Sequence, residues 1–421
     1  MLLLFRGKTM LERTILDQIL LSIEHFPVTI LSGPRQTGKS TLLFNKLVEK
    51  GYSYITLDNR TDYMDALNDP KEFLSRLDYP VIIDECQRAK ELFVEIEAIV
   101  NEVKLKKGSK KVNGMFVLSG SSSKALMENA KESMAGRCNI LRMNPLSLRE
   151  IYGYKDSPFI VDKKISRDRA KDYQLNEKTV LRHVLTGGMP QLYDDPKTPR
   201  DSFFSSYVET YMEKDLVEIM EIRNHKQFND FLSLLASNTG QELIYDNYAK
   251  LVGVKSPTIK QWVSALEKTG IIWLSYPYNE ESFVKQIVKR PKLYFFDTGF
   301  ACFLAGIKDI DTLSSSFMKG RMIETLIANE IRKSYLNCGI NQTINYYRDT
   351  QANEIDLIIL KDGRLMMIEC KAGIKYNEND VLSFKKLDTS KFNIKENCII
   401  CTSKEAYSIS DNVIVLPISS I

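Results

Sequence analysis

The chain has 421 residues, with 58 Lys plus Arg against 54 Asp plus Glu and a formal charge of +4. That balance excludes a histone-like basic coat, so any nucleic-acid surface must be local. At 43% hydrophobic and 27% charged residues the composition excludes a collagen-like, low-complexity or largely disordered chain, and the length predicts about two to four domains. The opening Met1–Arg6 is apolar but lacks a basic start, a long apolar core and a small-residue cleavage site. Nowhere do about 18 apolar residues run together. The expectation is a cytoplasmic protein with no membrane partner. Seven cysteines, an odd number scattered through apolar stretches, fit a reducing compartment. Cys398 and Cys401 have CxxC spacing, but they sit in an apolar strand whose alternation sends the thiols to opposite faces, which argues against zinc.

In chain order, the short apolar run 27–32 leads into Gly33-Pro34-Arg35-Gln36-Thr37-Gly38-Lys39-Ser40-Thr41. This is the GxxxxGKS pattern in its required context, a strand before it and an amphipathic stretch after it. The glycines let backbone N–H groups wrap phosphate oxygens, and the following helix turns its positive end toward the anion. Lys39 is placed to reach the outer phosphates of ATP and Ser40 to hold Mg²⁺. The apolar run 80–83 ends in Asp84 and Glu85, where a parallel sheet places ligands. Asp84 can hold the Mg²⁺ shell, and Glu85 can orient and polarise the attacking water. A third strand, 115–118, runs into Ser119-Gly120-Ser121-Ser122-Ser123; Ser119 or Ser121 can sense the γ-phosphate or simply form a loop. Arg137, before the strand-like 138–143, can contact phosphate within the chain, do so from a neighbour, or be a solvated loop charge. Apolar runs near 27–32, 54–57, 80–83, 115–118 and 138–143, with helical stretches between them, predict a parallel α/β sheet over 1–150.

Residues 151–227 read as a connector and then a helical lid, with a long helix over 201–220 packed on the sheet domain. Residues 228–290 read as short helices at 228–237, 245–251 and 256–269, with Ser256 as N-cap and Pro257 at the first helical position, followed by a strand. The whole resembles a winged helix-turn-helix. As a DNA reader its last helix would present Lys255, Thr258, Lys260, Gln261 and Lys268 to the groove; the alternative is a packing module.

Over 291–421 the pattern contains a hairpin, two apolar strands joined by Lys361-Asp362-Gly363-Arg364. Asp356, Glu369 and Lys371 gather at its open end, and Glu369 and Lys371 share a face. Two carboxylates and an ammonium in that place suit metal-assisted phosphodiester hydrolysis. Glu324, on a helix over 322–333, can reach the same Mg²⁺ as Asp356 and Glu369.

Gly33–Thr41, Asp84-Glu85-Cys86-Gln87, Leu118-Ser119-Gly120-Ser121, Ala135-Gly136-Arg137, Gly187-Gly188-Met189-Pro190 and Phe296-Asp297-Thr298-Gly299 together resemble the bacterial and archaeal AAA-type ATPases that carry a C-terminal restriction-endonuclease-like domain. The resemblance spans nearly the whole chain. It implies an α/β protein: a P-loop AAA+-type parallel sheet, a helical lid and winged helix, then a restriction-endonuclease-like α/β domain. It further implies ATP and Mg²⁺ as cofactors, DNA as a partner, a homo-oligomer in some members, Asp84 and Glu85 as the acidic pair, and Asp356, Glu369 and Lys371 as a nuclease triad. The hydroxyl-rich 119–123 segment departs from the family in lacking the Asn often found as a sensor. The main expectation is an ATPase that drives a nuclease. The alternatives are a regulatory switch whose last domain binds nucleic acid or a protein without cutting, and a nucleotide-dependent scaffold.

Overall fold

A computed structural model describes residues 11–121, 134, 136–210, 224–278, 290–387, 389, 392 and 396–421. Met1–Arg6, Ser122, Ser123, Ala135 and residues 211–220 of the expected 201–220 helix lie outside the described residues. The first third is a five-stranded parallel sheet of β1 (Val28–Ser32), β2 (Ser53–Thr56), β3 (Val81–Asp84), β4 (Phe116–Gly120) and β5 (Cys138–Arg142), in the order β2-β3-β4-β1-β5. Successive side chains alternate between two apolar cores. Ile30, Ile83 and Leu118 enter one, and Leu31, Ile82 and Val117 the other. Burial on both faces is why these strands read as unbroken apolar runs.

The middle of the chain folds as helix His225–Ser237, β6 (Gln241–Glu242), helices Tyr245–Val252 and Ser256–Thr269, then β7 (Ile272–Ser275) and β8 (Lys292–Phe295). The three strands form an antiparallel sheet ordered β6-β8-β7. Ser256 is not the cap: Lys255 holds the extended cap position without a side-chain bond, and Pro257 lies inside the first turn. The last third is a six-stranded mixed sheet of β9 (Asn345–Arg348), β10 (Glu354–Lys361), β11 (Arg364–Cys370), β12 (Asn397–Cys401), β13 (Tyr407–Ser410) and β14 (Val413–Pro417), ordered β13-β14-β12-β11-β10-β9. Lys361 pairs with Arg364 across Asp362 and Gly363, both at positive φ, which is a tight two-residue hairpin turn. On β12, Cys398 lies in one apolar core and Cys401 in another.

Two features of the middle go beyond the expectation. The connector that begins at residue 151 is packed into the fold: Phe159 and Val161 are buried, and Phe159 N–H donates to Ser334 Oγ at 3.0 Å. The described part of the lid, helix Arg200–Tyr207, packs Phe204 and Tyr207 on Phe300 rather than on the first sheet. Both features follow from one apolar core that runs from Leu146 to Ile421 and claims the aromatic side chains of the whole stretch. The two glycine motifs also meet there. Asp297 accepts from Gly188 N–H at 2.7 Å and Phe300 N–H at 2.8 Å, and a Cβ on Gly187 would sit 2.1 Å from Asp297 Oδ1. Their role is a packing joint.

Candidate functional site

Two constellations emerge, one at each end of the chain. β1 ends at Ser32 and the loop turns into helix Lys39–Leu47 through Gly33 (φ 150°), Gln36 (φ 59°) and Gly38 (φ 90°). A Cβ on Gly33 would lie 2.2 Å from Met143 O, so only glycine lets the loop pass the end of β5. Lys39 Nζ donates to Gly33 O at 2.9 Å and Pro34 O at 2.8 Å, folded over its own loop. Burial lowers its pKa to about 8, although Glu85 and Asp84 pull the other way.

The acidic pair comes from β3, with β4 between it and the loop strand. Asp84 accepts from Tyr54 Oη at 2.8 Å and from Ser119 Oγ. Glu85 stands at φ 54°, a sparsely populated conformation for a side chain of this kind. Its Oε2 accepts from Gln87 Nε2 at 2.5 Å and Ser121 Oγ at 3.1 Å. The structure therefore gives Ser119 and Ser121 separate duties: one braces Asp84, the other Glu85. It also brings Gly33–Thr41, Asp84, Glu85 and Ser121 to the C-terminal end of one sheet, as Mg²⁺-bound nucleotide requires.

Arg137 is not part of that group. It precedes β5, and its carbonyl accepts from Val28 N–H, so it lies at the end of the sheet opposite the loop, paired with Glu97 at 3.0 Å and Asn101 at 2.9 Å. A phosphate contact within the chain is corrected by this placement, because parallel strands put residues preceding β5 beside the start of β1. Arg13 was missed in the sequence. Its buried guanidinium donates to Thr37 O at 2.8 Å and Asn144 O at 2.5 Å, and pairs with Glu150 at 3.2 Å. It ties the loop to the segment after β5. A lone arginine before an ordinary helix carries no motif to reveal this.

The second constellation lies between β8, helix Met318–Leu336 and the hairpin. The register of Leu357 with Ile368 sets Asp356 opposite Glu369. Asp356 Oδ2 accepts from Cys370 N–H at 2.8 Å; Glu369 pairs with Lys371 at 2.7 Å and accepts from Ser383 Oγ at 3.0 Å. So Asp356, Glu369 and Lys371 do converge, and Glu324 joins Asp356 through a residue the sequence reading passed over. Lys292, 2% exposed, places its ammonium 3.0 Å from Glu324, 2.5 Å from Glu354 and 3.5 Å from Asp356. Tyr294 Oη also donates to Glu324 Oε1 at 2.7 Å. The only cue was a lysine inside the otherwise apolar run 291–296.

Burial works against the Lys292 ammonium, but Glu324, Tyr294, Asp356 and Glu354 outweigh it and hold its pKa well above the usual lysine value. Burial, with Asp356 adding to it, pushes Glu324 up to about 7 against the pull of Lys292. Burial and Asp356 likewise raise Glu369 to about 8. These residues do not fit the expected Mg²⁺ centre. The carboxylates of Glu324, Glu354 and Asp356 already surround a cation, and Glu369 is turned to Lys371 and Ser383. Of the three residues expected as metal ligands, Glu324 and Asp356 share the Lys292 ammonium, and Glu369 is bonded to Lys371 and Ser383 instead.

Comparison with known proteins follows the same division. Residues 25–152 match the model of the AAA domain. The N-terminal third is an AAA-type ATPase domain. Residues 177–311 and 319–421 match two domains of unknown function (DUF8612 and DUF4143). An uncharacterized protein of Mycobacterium tuberculosis is 24% identical over 407 residues, covering 95% of this chain and 82% of its own. One of Methanocaldococcus jannaschii is 24% identical over 369 residues, with 85% and 78% covered. Among solved structures, a Walker-type ATPase of Pyrococcus abyssi has a TM-score of 0.43 at 15% identity, covering 71% of this chain and 97% of its own. The Holliday junction branch migration motor of Thermotoga maritima has a TM-score of 0.30 at 16% identity, covering 62% and 88%. No helix among the described residues is long and apolar enough to cross a membrane.

Proposed function

We propose that the chain is an ATP-hydrolysing regulatory switch whose C-terminal domain engages a partner, DNA or protein, without cutting it. The observation that carries the non-cleaving reading is the Lys292 ammonium seated among Glu324, Glu354 and Asp356. An internal lysine that neutralises the acids removes the open metal positions on which phosphodiester hydrolysis would depend.

ATP hydrolysis rests on the first constellation. Mg²⁺-bound ATP would supply the γ-phosphoryl group, and Lys39, which donates to Gly33 O and Pro34 O, is the cation that would bind its outer phosphates. Ser40, at the start of its helix, is the residue to hold the metal, with Asp84 behind it. Glu85, fixed by Gln87 and Ser121, is the group to accept a proton from the attacking water. The middle module, with Lys255, Lys260, Gln261 and Lys268 exposed along one helix, is the winged-helix surface that would meet DNA; three lysines make that contact modest and salt-sensitive.

Steady-state hydrolysis and plasmid cleavage measured on the same preparations test the reading. Glu85→Gln should keep ATP binding and lower hydrolysis by about 10²–10⁴-fold, while neither the wild type nor any variant cuts DNA. Mg²⁺-dependent cutting by the wild type that Asp356→Ala abolishes would establish the nuclease instead.

A further inference from the structure

Among the described residues, Ser40 and Asp84, the two that the first constellation offers to a metal, share no hydrogen bond of their own. Asp84, a carboxylate that only accepts, takes the hydroxyl of Ser119 on Oδ1 and that of Tyr54 on Oδ2, the latter at 2.8 Å. Ser40 joins this chain of bonds one step earlier, at the phenol of Tyr54. Burial holds the pKa of that phenol above its ordinary value, Asp84 adds to the rise, and the hydrogen bond with Ser40 pulls the other way. The phenol therefore keeps its proton through the neutral range, as a donor to Asp84 must.

The fold sets this hydroxyl in place from two sides. Tyr54 pairs with Ile82 on the parallel neighbour β3, and Asp84 lies two residues farther along, so the phenol and the carboxylate share one face of the sheet. Phe44 stands edge-on to the Tyr54 ring, with centroids 5.3 Å apart and planes at 89°. It follows Ser40 by one turn of the same helix, so the helix that carries the metal residue also grips the ring that serves it. No spacing in the sequence marks Tyr54, which begins one of the apolar runs of the sheet.

A hydroxyl that ligates a cation turns its lone pairs to the ion and its O–H elsewhere, so it needs an acceptor beside it. Because Asp84 can only accept, the direction of the chain is fixed: Tyr54 donates to Asp84, which leaves the phenol oxygen to accept from Ser40. We infer that Tyr54 is a positioning residue for Mg²⁺, passing the hydrogen bond of Ser40 on to Asp84 so that the Ser40 oxygen keeps its lone pairs for the ion. The inference deepens the ATPase reading and rests on Ser40 as the residue that holds the metal. It is independent of whether the C-terminal domain cuts nucleic acid.

The test is isothermal titration calorimetry of ADP into the full chain, once with excess Mg²⁺ and once in EDTA, for the wild type, Tyr54→Phe, Ser40→Ala and the double variant. Tyr54→Phe keeps the ring against Phe44 and removes only the hydroxyl. It should leave the metal-free ADP affinity within about twofold and cut the Mg²⁺-dependent gain roughly tenfold. Once Ser40 is replaced, the phenol has nothing to position, so adding Tyr54→Phe should cost no more than about twofold further. A gain that Tyr54→Phe leaves intact, an equal loss with and without Mg²⁺, or additive losses in the double variant would each overturn the inference while Ser40→Ala still abolishes the gain. A Ser40→Ala chain that keeps the whole gain would instead overturn the reading of Ser40 as the metal-holding residue, and this inference with it.

Discussion

Replacing Lys292 by Met keeps the length and apolar stem of the side chain and removes only its charge. The ammonium lies 3.0, 2.5 and 3.5 Å from three carboxylates and is 2% exposed. At an effective dielectric of about 20 each contact contributes roughly 5–7 kcal/mol of gross attraction, most of it offset by desolvation. What the substitution exposes is the cost of breaking a buried ion cluster, about 3–5 kcal/mol, or roughly 6–20 °C in melting temperature at about 2–4 °C per kcal/mol. That cost depends on pH. Glu324 and Glu369 have folded pKa values raised to about 7 and about 8, above the unfolded value, so their contribution is fully present below about 4.3 and is lost as pH rises through the folded values. Without Lys292, whose charge pulls Glu324 down, Glu324 rises further. The gap between variant and wild type should therefore be small near pH 5 and widest above pH 8, read by thermal or urea unfolding. A variant as stable as the wild type at pH 8.5 would refute the assignment of Lys292 as the internal cation.

Three further outcomes follow from the first constellation. Arg13→Ala leaves Glu150 buried without its partner and Thr37 O without its donor; it should cost about 3–5 kcal/mol in chemical denaturation and weaken ADP binding. Gly33→Ala forces the loop away from Met143 O and should abolish nucleotide binding while far-ultraviolet circular dichroism stays unchanged. Ser121→Ala frees one of the two side chains that hold Glu85 and should lower the hydrolysis rate with little change in ATP affinity; an equal loss of affinity would make Ser121 a nucleotide contact.

The parts legible in the sequence are those whose chemistry is local. The loop 33–41, the acids ending β3 and the Asp362-Gly363 turn each consist of neighbouring residues with a backbone requirement, and all three occupy the places their patterns imply. Lys292 and Arg13 act across the fold. Lys292 meets Glu324 and Glu354 only because β8 lies beside a helix and a hairpin that come later in the chain, and no spacing encodes that. Arg137 is the converse case, where only one of the three roles open to it, a phosphate contact within the chain, is removed by its placement. A guanidinium next to a strand of a P-loop sheet suggests phosphate, but which end of the strand it precedes decides, and it precedes the wrong one. Ser119 and Ser121 were found with their general location right; that each holds a different acid depends on side-chain direction at the end of β4.

Helix Met318–Leu336, about 28 Å long at ~1.5 Å per residue, is an axle for the molecule. Glu324 faces the acid cluster, Asn329 accepts from Trp273 and donates to Phe295 O, Glu330 accepts from Leu148 N–H, Lys333 donates to Leu146 O and Tyr335 to Phe159 O. Boundaries drawn along the sequence are thus not seams in space. A single inserted residue midway along this helix would turn everything beyond it by about 100°, uncoupling the segment after the ATPase sheet from the acid cluster at one stroke. Cutting the chain just before it would take from the ATPase domain the donors and acceptors that hold residues 146–148 in place.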